Sequence, residues 1–429
     1  MQEDALIIRP GRPLQGDIEI KGAKNSVLKL MAATLLAEGT HVIGNVPQIT
    51  DVSIMANLLR SMGVTVSDVV DGRLTIIVPP EDQVIPRAPY ELVEKIRASI
   101  VVLGPLVARY RRAEVSMPGG DDFGHRPINF HLNALEALGA SFEASHGYIS
   151  ATASGLLGTR VVLEFPSHTA TDNVLMASVL AKGTTVIENA AKEPEIIDLA
   201  QMLVEMGAKI FGAGTSRIEV EGVDELVPAN HRVIADRVEA ATMAAAVGLA
   251  TGNVNLVGAP SMYMDMVLEK LRAIGLTITE TSCGLNVICK DRLRATDVAT
   301  LPYPGVATDY KPFIVTMLSV ADGVSIVTEN LFSGRFKYVD ELRRMGADIR
   351  TEGHHAVIRG VARLSGAQVK GNDIRAAAAL ALAGLAADGE TILAASSHID
   401  RGYEDFAGRL RAVGAQIEHV RANNPGNPI

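Results

Sequence analysis

Two kinds of hydrophobic segment alternate along the chain. One is apolar on every face, as in Ala376 to Ala387 and Ala240 to Leu249, and predicts a helix buried on all sides. The other carries charge on one face, as in Ile196 to Met206 and around Glu341-Leu342-Arg343-Arg344, and predicts a helix that meets solvent. Short β-branched runs such as Thr184-Thr185-Val186-Ile187 predict strands between them. Glycine marks the period. Met62-Gly63-Val64, Leu138-Gly139-Ala140, Met206-Gly207-Ala208, Ile274-Gly275-Leu276, Met345-Gly346-Ala347 and Val413-Gly414-Ala415 each close a helical pattern, at intervals of about 70 residues. A second glycine precedes most of them by about 24 residues (Gly39, Gly183, Gly252, Gly323, Gly389), and Arg111-Arg112-Ala113 takes its place in the second copy.

The chain therefore reads as six copies of one α/β unit: apolar helix, Gly turn, strand, loop, amphipathic helix, Gly cap, further strand. Three such units can close round their own buried helices with sheets outside. Six divide as three plus three, with Val227-Pro228-Ala229-Asn230 near the midpoint. The expectation is two similar lobes with a cleft between them.

Composition agrees with an ordinary soluble, mildly acidic globular protein. At 429 residues the chain is long enough for two or three domains. It is 48% hydrophobic and 21% charged, and 40 basic against 49 acidic side chains leave a net charge of −9, which speaks against broad nucleic-acid or anionic-membrane binding. Its two cysteines, Cys283 and Cys289, are too few for a disulfide framework and point to a reducing cytoplasm. Both read as lying on or beside a strand, with no second pair of metal ligands near them. Met1 to Pro10 has no signal-peptide pattern. The longest apolar run, Ala376 to Ala387, falls well short of the roughly 20 residues that span a bilayer. The stretch from Asn423 to Pro428 reads as a loose tail.

Chemistry is expected where the buried helices open. Lys24-Asn25, Arg97-Ala98-Ser99, Thr171-Asp172-Asn173, Asp236-Arg237, Thr308-Asp309-Tyr310-Lys311 and Asp373-Ile374-Arg375 stand there. Asp, Thr and Asn at such places are ordinary caps. Lys and Arg oppose the helix dipole, so their recurrence suggests a shared anionic ligand. The loop Pro118 to Pro127 holds three glycines together with Asp121, Asp122, His125 and Arg126; it reads either as a capped surface turn or as a proton donor beside an anion.

Taken in order, Gly22-Ala23-Lys24-Asn25, Arg97-Ala98-Ser99, the Pro118 to Pro127 loop, Glu188 to Glu195, Thr308-Asp309, Phe332 to Phe336, Asp373-Ile374-Arg375 and His398 to Tyr403 resemble the signature set of the UDP-N-acetylglucosamine enolpyruvyl transferase family. The resemblance runs from about Ile7 to Val420, nearly the whole chain. The sister family of the shikimate pathway opens with a Gly-Ser-Lys-Ser type motif instead.

The resemblance implies an inside-out α/β barrel in each of two lobes, residues 1–22 plus 233–429 forming one and 23–232 the other, with the catalytic loop at 118–127. It implies transfer of the enolpyruvyl group of phosphoenolpyruvate to an acceptor hydroxyl, with phosphate released and no metal or cofactor. Lys24, Arg97, Arg126, Arg335, Arg375 and Arg401 match cations for the donor's phosphate and carboxylate. Lys24 and Arg401 are placed with the catalytic set. Asp309 matches the base that deprotonates the acceptor, Asp121 the acid that protonates C3, and Asp373 a residue that holds the arginines or manages protons. Lobe closure is expected to assemble these groups. Asp121 replaces the family's more common cysteine, so insensitivity to fosfomycin, which alkylates that thiolate, is expected.

The acceptor half departs from the family pattern. Pro166-Ser167-His168-Thr169-Ala170-Thr171 stands where Pro-Ser-Val-Gly-Ala-Thr is expected at the nucleotide phosphates, Asn129 stands for a uracil-contacting Asp, and Val306-Ala307 for Phe-Pro. Read together, these changes favour a nucleoside monophosphate such as UMP, taken at its 3′-hydroxyl as in nikkomycin- and polyoxin-type biosynthesis, with Asn129, Ser167, His168 and Thr169 contacting it. Asn25 matches an acetamido contact and favours the alternative, UDP-N-acetylglucosamine and peptidoglycan synthesis. A catalytically silent uridine-nucleotide binder is the further alternative; Lys24, Asp121, Asp309, Asp373 and Arg401 argue against it.

Overall fold

A computed structural model describes residues 4–119, 128–332 and 334–420. The described residues form two compact units, one made of 22–119 and 128–234 and the other of 4–21 and 235–420.

Each unit has its own apolar core and its own three buried helices. In the Gly22–Ile234 unit they are Lys24–Ala33, Leu103–Tyr110 and His168–Ser178. In the other they are Arg237–Ala250, Lys311–Leu318 and Ile374–Leu385, and the last two are buried at every position. Alanine-rich helices pack closely enough for three to share a centre, and the strands cover them.

Among the described residues six four-stranded sheets share one topology. Thr184–Glu188 is typical: it pairs in parallel with Arg160–Val162 and antiparallel with Arg217–Glu221, which pairs in turn with Lys209–Phe211. The amphipathic helix Pro194–Glu205 connects the second strand to the hairpin. The sequence pattern marks one strand after each amphipathic helix where there are two, because the outermost strand is short and mostly exposed, as in Lys209–Phe211. Leu14–Glu19 pairs with Gly252–Val257 and Asn230–Arg232 with Gly39–Gly44, so the first strand of one sheet in each unit feeds the opening helix of the other unit.

The periodic glycines serve their turns. Gly63, Gly139, Gly207, Gly275, Gly346 and Gly414 all have positive φ, and Arg111, standing in for the missing glycine, is itself left-handed at φ 60°. Gly222 and Gly360 close equivalent hairpins for a different reason: a Cβ there would sit 1.6 Å from the Ala181 oxygen and 1.7 Å from the Ala321 oxygen. Gly360→Ala is therefore expected to cost about 1–3 kcal/mol, as overpacking does, read as a lower urea midpoint at unchanged slope. An unchanged midpoint would show that the backbone yields.

Candidate active site

In the unit completed by the carboxy-terminal half, four charged side chains meet. Asp373 caps Ile374–Leu385, its Oδ1 accepting from the N–H groups of Arg375 and Ala376 at 2.9 Å each. Asp309 lies just before Lys311–Leu318. Its Oδ1 accepts from Arg335 Nη1 at 2.7 Å and its Oδ2 from Arg375 Nε at 3.3 Å. Arg335 also donates to Thr308 Oγ1 at 3.2 Å and lies 4.0 Å from Asp373. Both arginines are buried, while the Asp309 side chain remains 26% exposed. Burial alone would lower the pKa of Arg335, but Asp309 and Asp373 outweigh it and raise it. For Arg375 the same burial effect is outweighed by Tyr403 and Asp309. Arg375 Nη1 is buried with no hydrogen-bond partner among the described residues, which leaves a donor for an incoming anion. Arg401 follows the short helix Ser397–Asp400 and is half-buried.

Behind this group sits an ion pair without solvent contact. Lys311 Nζ lies 2.8 Å from Glu329 Oε2, donates to the Arg335 carbonyl at 2.6 Å and stands 3.8 Å from the centre of the Phe336 ring. Lys311 belongs to the Thr308 to Lys311 run, yet sequence reasoning gave it no role.

In the Gly22–Ile234 unit, Lys24 opens its helix with no side-chain cap, and Asp51 offsets the adverse dipole at 3.0 Å. Asn25 follows, half-buried. Arg97 opens the 3₁₀ turn Arg97–Val102, half-buried, with Nη1 3.5 Å from the Pro118 carbonyl. Gly119 passes close to the chain, since a Cβ there would lie 2.1 Å from the Glu94 oxygen. Asp121, Asp122 and Arg126 lie outside the described residues. Asn129 starts the helix Asn129–Ala137 and is exposed.

The third buried helix of this unit opens at His168, capped by Ser167, so Thr171-Asp172-Asn173 lies one turn inside it and not at its mouth as expected. Lys29, a single cation within an otherwise apolar stretch, explains the inner turn: its Nζ lies 3.2 Å from Asp172 Oδ2 and 2.9 Å from His168 Nε2. Burial, opposed by Lys29, raises Asp172 to about 7. Thr169 Oγ1 lies 3.2 Å from His131 Nε2, and Asn173 Nδ2 lies 2.8 Å from His131 Nδ1. Burial, with Arg97 adding to it, lowers His131 to about 3, so this ring is neutral at working pH. The lysine at 29 was the readable signal for the network, because a wholly buried helix seldom carries an unpaired charge.

Among the described residues no group of three or more His, Cys, Asp and Glu side chains is arranged to hold a metal, and no helix is long and apolar enough to cross a membrane. A family model for EPSP synthase (3-phosphoshikimate 1-carboxyvinyltransferase) matches residues 8–410. The chain belongs to this family of enolpyruvyl transferases. The UDP-N-acetylglucosamine 1-carboxyvinyltransferase of Nocardia farcinica is 49% identical to this transferase over 422 residues, covering 97% of this chain and 99% of that one. The protein of that name from Corynebacterium jeikeium is 47% identical, covering 98% and 100%. In structure, the enolpyruvyl transferase NikO from Streptomyces tendae superposes with a TM-score of 0.88 over 98% of this chain and 100% of that one, at 24% identity. That likeness concerns the fold.

These relatives correct the acceptor expectation. Proteins 46–49% identical over nearly their whole length carry the UDP-N-acetylglucosamine name, against the UMP reading drawn from His168, Thr169 and Asn129. The structure supplies a physical reason. An ammonium group only donates, so His168 Nε2, facing Lys29, is an acceptor on a neutral ring and brings no charge to a terminal phosphate monoester. Thr169 is engaged with His131. Two of the departures thus pack against partners within the transferase itself.

Proposed function

We propose that this transferase moves the enolpyruvyl group of phosphoenolpyruvate to a hydroxyl of UDP-N-acetylglucosamine, in the cytoplasm, as a step of peptidoglycan synthesis. The observation that carries the reading is 49% identity across nearly the full chain to a protein named for that reaction. Asn25, beside Lys24 at a helix opening, agrees with an acetamido contact.

Asp309 takes the proton of the acceptor hydroxyl as its oxygen bonds to C2 of the donor, while Asp121 gives a proton to C3. Loss of a proton from C3 and of phosphate from C2 then restores the double bond, leaving an enol ether and inorganic phosphate. Two arginines hold both oxygens of Asp309, so the base is fixed in orientation before substrate arrives. Arg375 Nη1 offers its unused donor to an oxygen of the donor's phosphate or carboxylate. Lys24, Arg97, Arg126, Arg335 and Arg401 are assigned to the same two anionic groups, and Asp373 keeps Arg335 and Arg375 in place. Asn129, Ser167, His168 and Thr169 are assigned to the nucleotide, with His168 as a neutral donor to the diphosphate. Transient protonation of C3 makes a methyl group, so turnover in deuterated water is expected to place deuterium in the vinyl group of the product, read by mass spectrometry. A product without deuterium would overturn the addition–elimination route.

A further inference from the structure

Among the buried charges that the proposed reaction leaves without a role, one pair touches both the base's own segment and the loop that carries its arginine. Glu329 directly follows the strand Val324–Thr328, and its carboxylate accepts five hydrogen bonds or ionic contacts. They come from Thr300 Oγ1 and Thr308 Oγ1 at 2.7 Å each, Leu331 N at 2.8 Å, Phe332 N at 3.1 Å and Lys311 Nζ at 2.8 Å. Thr308 and Lys311 flank Asp309 in sequence, whereas Leu331 and Phe332 lead to Arg335. Lys311 closes the circuit from the other side by donating to the Arg335 carbonyl at 2.6 Å.

We infer that Lys311 and Glu329 are positioning residues for the transfer, a buried clip that fixes the Arg335 guanidinium against Asp309 and so aims the base. A buried pair is a poor device for stability alone, because desolvation of two charges cancels most of their attraction. Its geometry here serves a different end. Two segments that meet where Arg335 touches Thr308 and Asp309 are tied together again one shell further in, and a small misplacement of a catalytic group costs rate steeply. The inference rests on the transfer reading.

The clip has a titration of its own. Burial, opposed by Glu329, pushes Lys311 down to about 8, with Arg335 lowering it further and Asp373 raising it. Burial raises the Glu329 carboxyl, but Lys311, Thr300 and Thr308 outweigh it and bring it below the usual carboxylate range. The buried Tyr338 hydroxyl, raised well above its ordinary value, is neutral throughout. Lys311 is thus charged below about pH 8 and loses its proton above it, so the kcat profile of the parent enzyme is expected to fall on that alkaline side.

Two variants test the clip, each with a readout that does not depend on turnover. In Lys311→Met the alkaline limb near 8 is expected to disappear and kcat to fall at least tenfold, with the KM of the acceptor changed less than threefold. In Glu329→Gln the limb is expected to move to lower pH, since the charge that sustains Lys311's proton is gone. In either variant, hydrogen–deuterium exchange at the amides of Leu331, Phe332 and Arg335 is expected to quicken at least tenfold while Val324–Thr328 keeps its parental rate. The Gln variant keeps the site's shape and carries the test should the Met variant fail to fold. Parental kcat, limb and exchange in the Gln variant would overturn the inference. A parent enzyme that releases no phosphate would sink the transfer reading instead, and the exchange rates would still decide whether the clip holds the loop.

Discussion

Asp309→Asn is expected to lower kcat by about 10²- to 10⁴-fold, the usual worth of a positioned general base, with the protein still folded. Asparagine keeps the outline of the side chain and one acceptor oxygen for Arg335 Nη1. Asp309 is 26% exposed, so the loss in folding stability stays below the about 3–5 kcal/mol that removal of a partner from a fully buried pair costs. Arg335 retains Thr308 and Asp373, and Arg375 retains Tyr403. Phosphate-release kinetics on a variant with the parental melting curve check this. A raised KM at parental kcat would show that Asp309 shapes the site without taking the proton.

Fosfomycin is expected to leave the enzyme active under conditions where Asp121→Cys is fully inactivated. The drug's epoxide is opened by a thiolate, and a carboxylate is a much weaker nucleophile. The chain's two thiols lie elsewhere in the sequence: Cys289 is buried in the strand Gly284–Cys289, where burial raises its pKa, and Cys283 lies in an exposed turn just before that strand. Activity after incubation, together with the intact mass of both proteins, reads the outcome. Inactivation of the parent with one added fosfomycin mass, mapped by peptide mass spectrometry to the segment around Asp121, would contradict this.

Much of the fold was legible because its signals are local. A glycine at positive φ after each amphipathic helix and a largely apolar buried helix in each repeat are one-dimensional features, and six copies made them unmistakable. The outermost strands escaped because a run such as Lys209–Phe211 is too short and too exposed to show a period. In the candidate site, placement was readable where an awkward residue stands against the helix dipole, as with Lys24 and Arg375 at helix openings. It was unreadable where a charge is paired in three dimensions: Lys311 with Glu329, and Lys29 with Asp172 and His168, are far apart in sequence. Without those partners His168 reads as a free ligand for phosphate, which is how the UMP expectation arose. The near-full-length relatives overturn it.

The central claim is the pairing of donor and acceptor, and phosphate release from phosphoenolpyruvate in the presence of either UDP-N-acetylglucosamine or UMP tests it most directly. Rapid release with UDP-N-acetylglucosamine and none with UMP is the predicted result. Release with UMP alone, or with neither nucleotide, would contradict it.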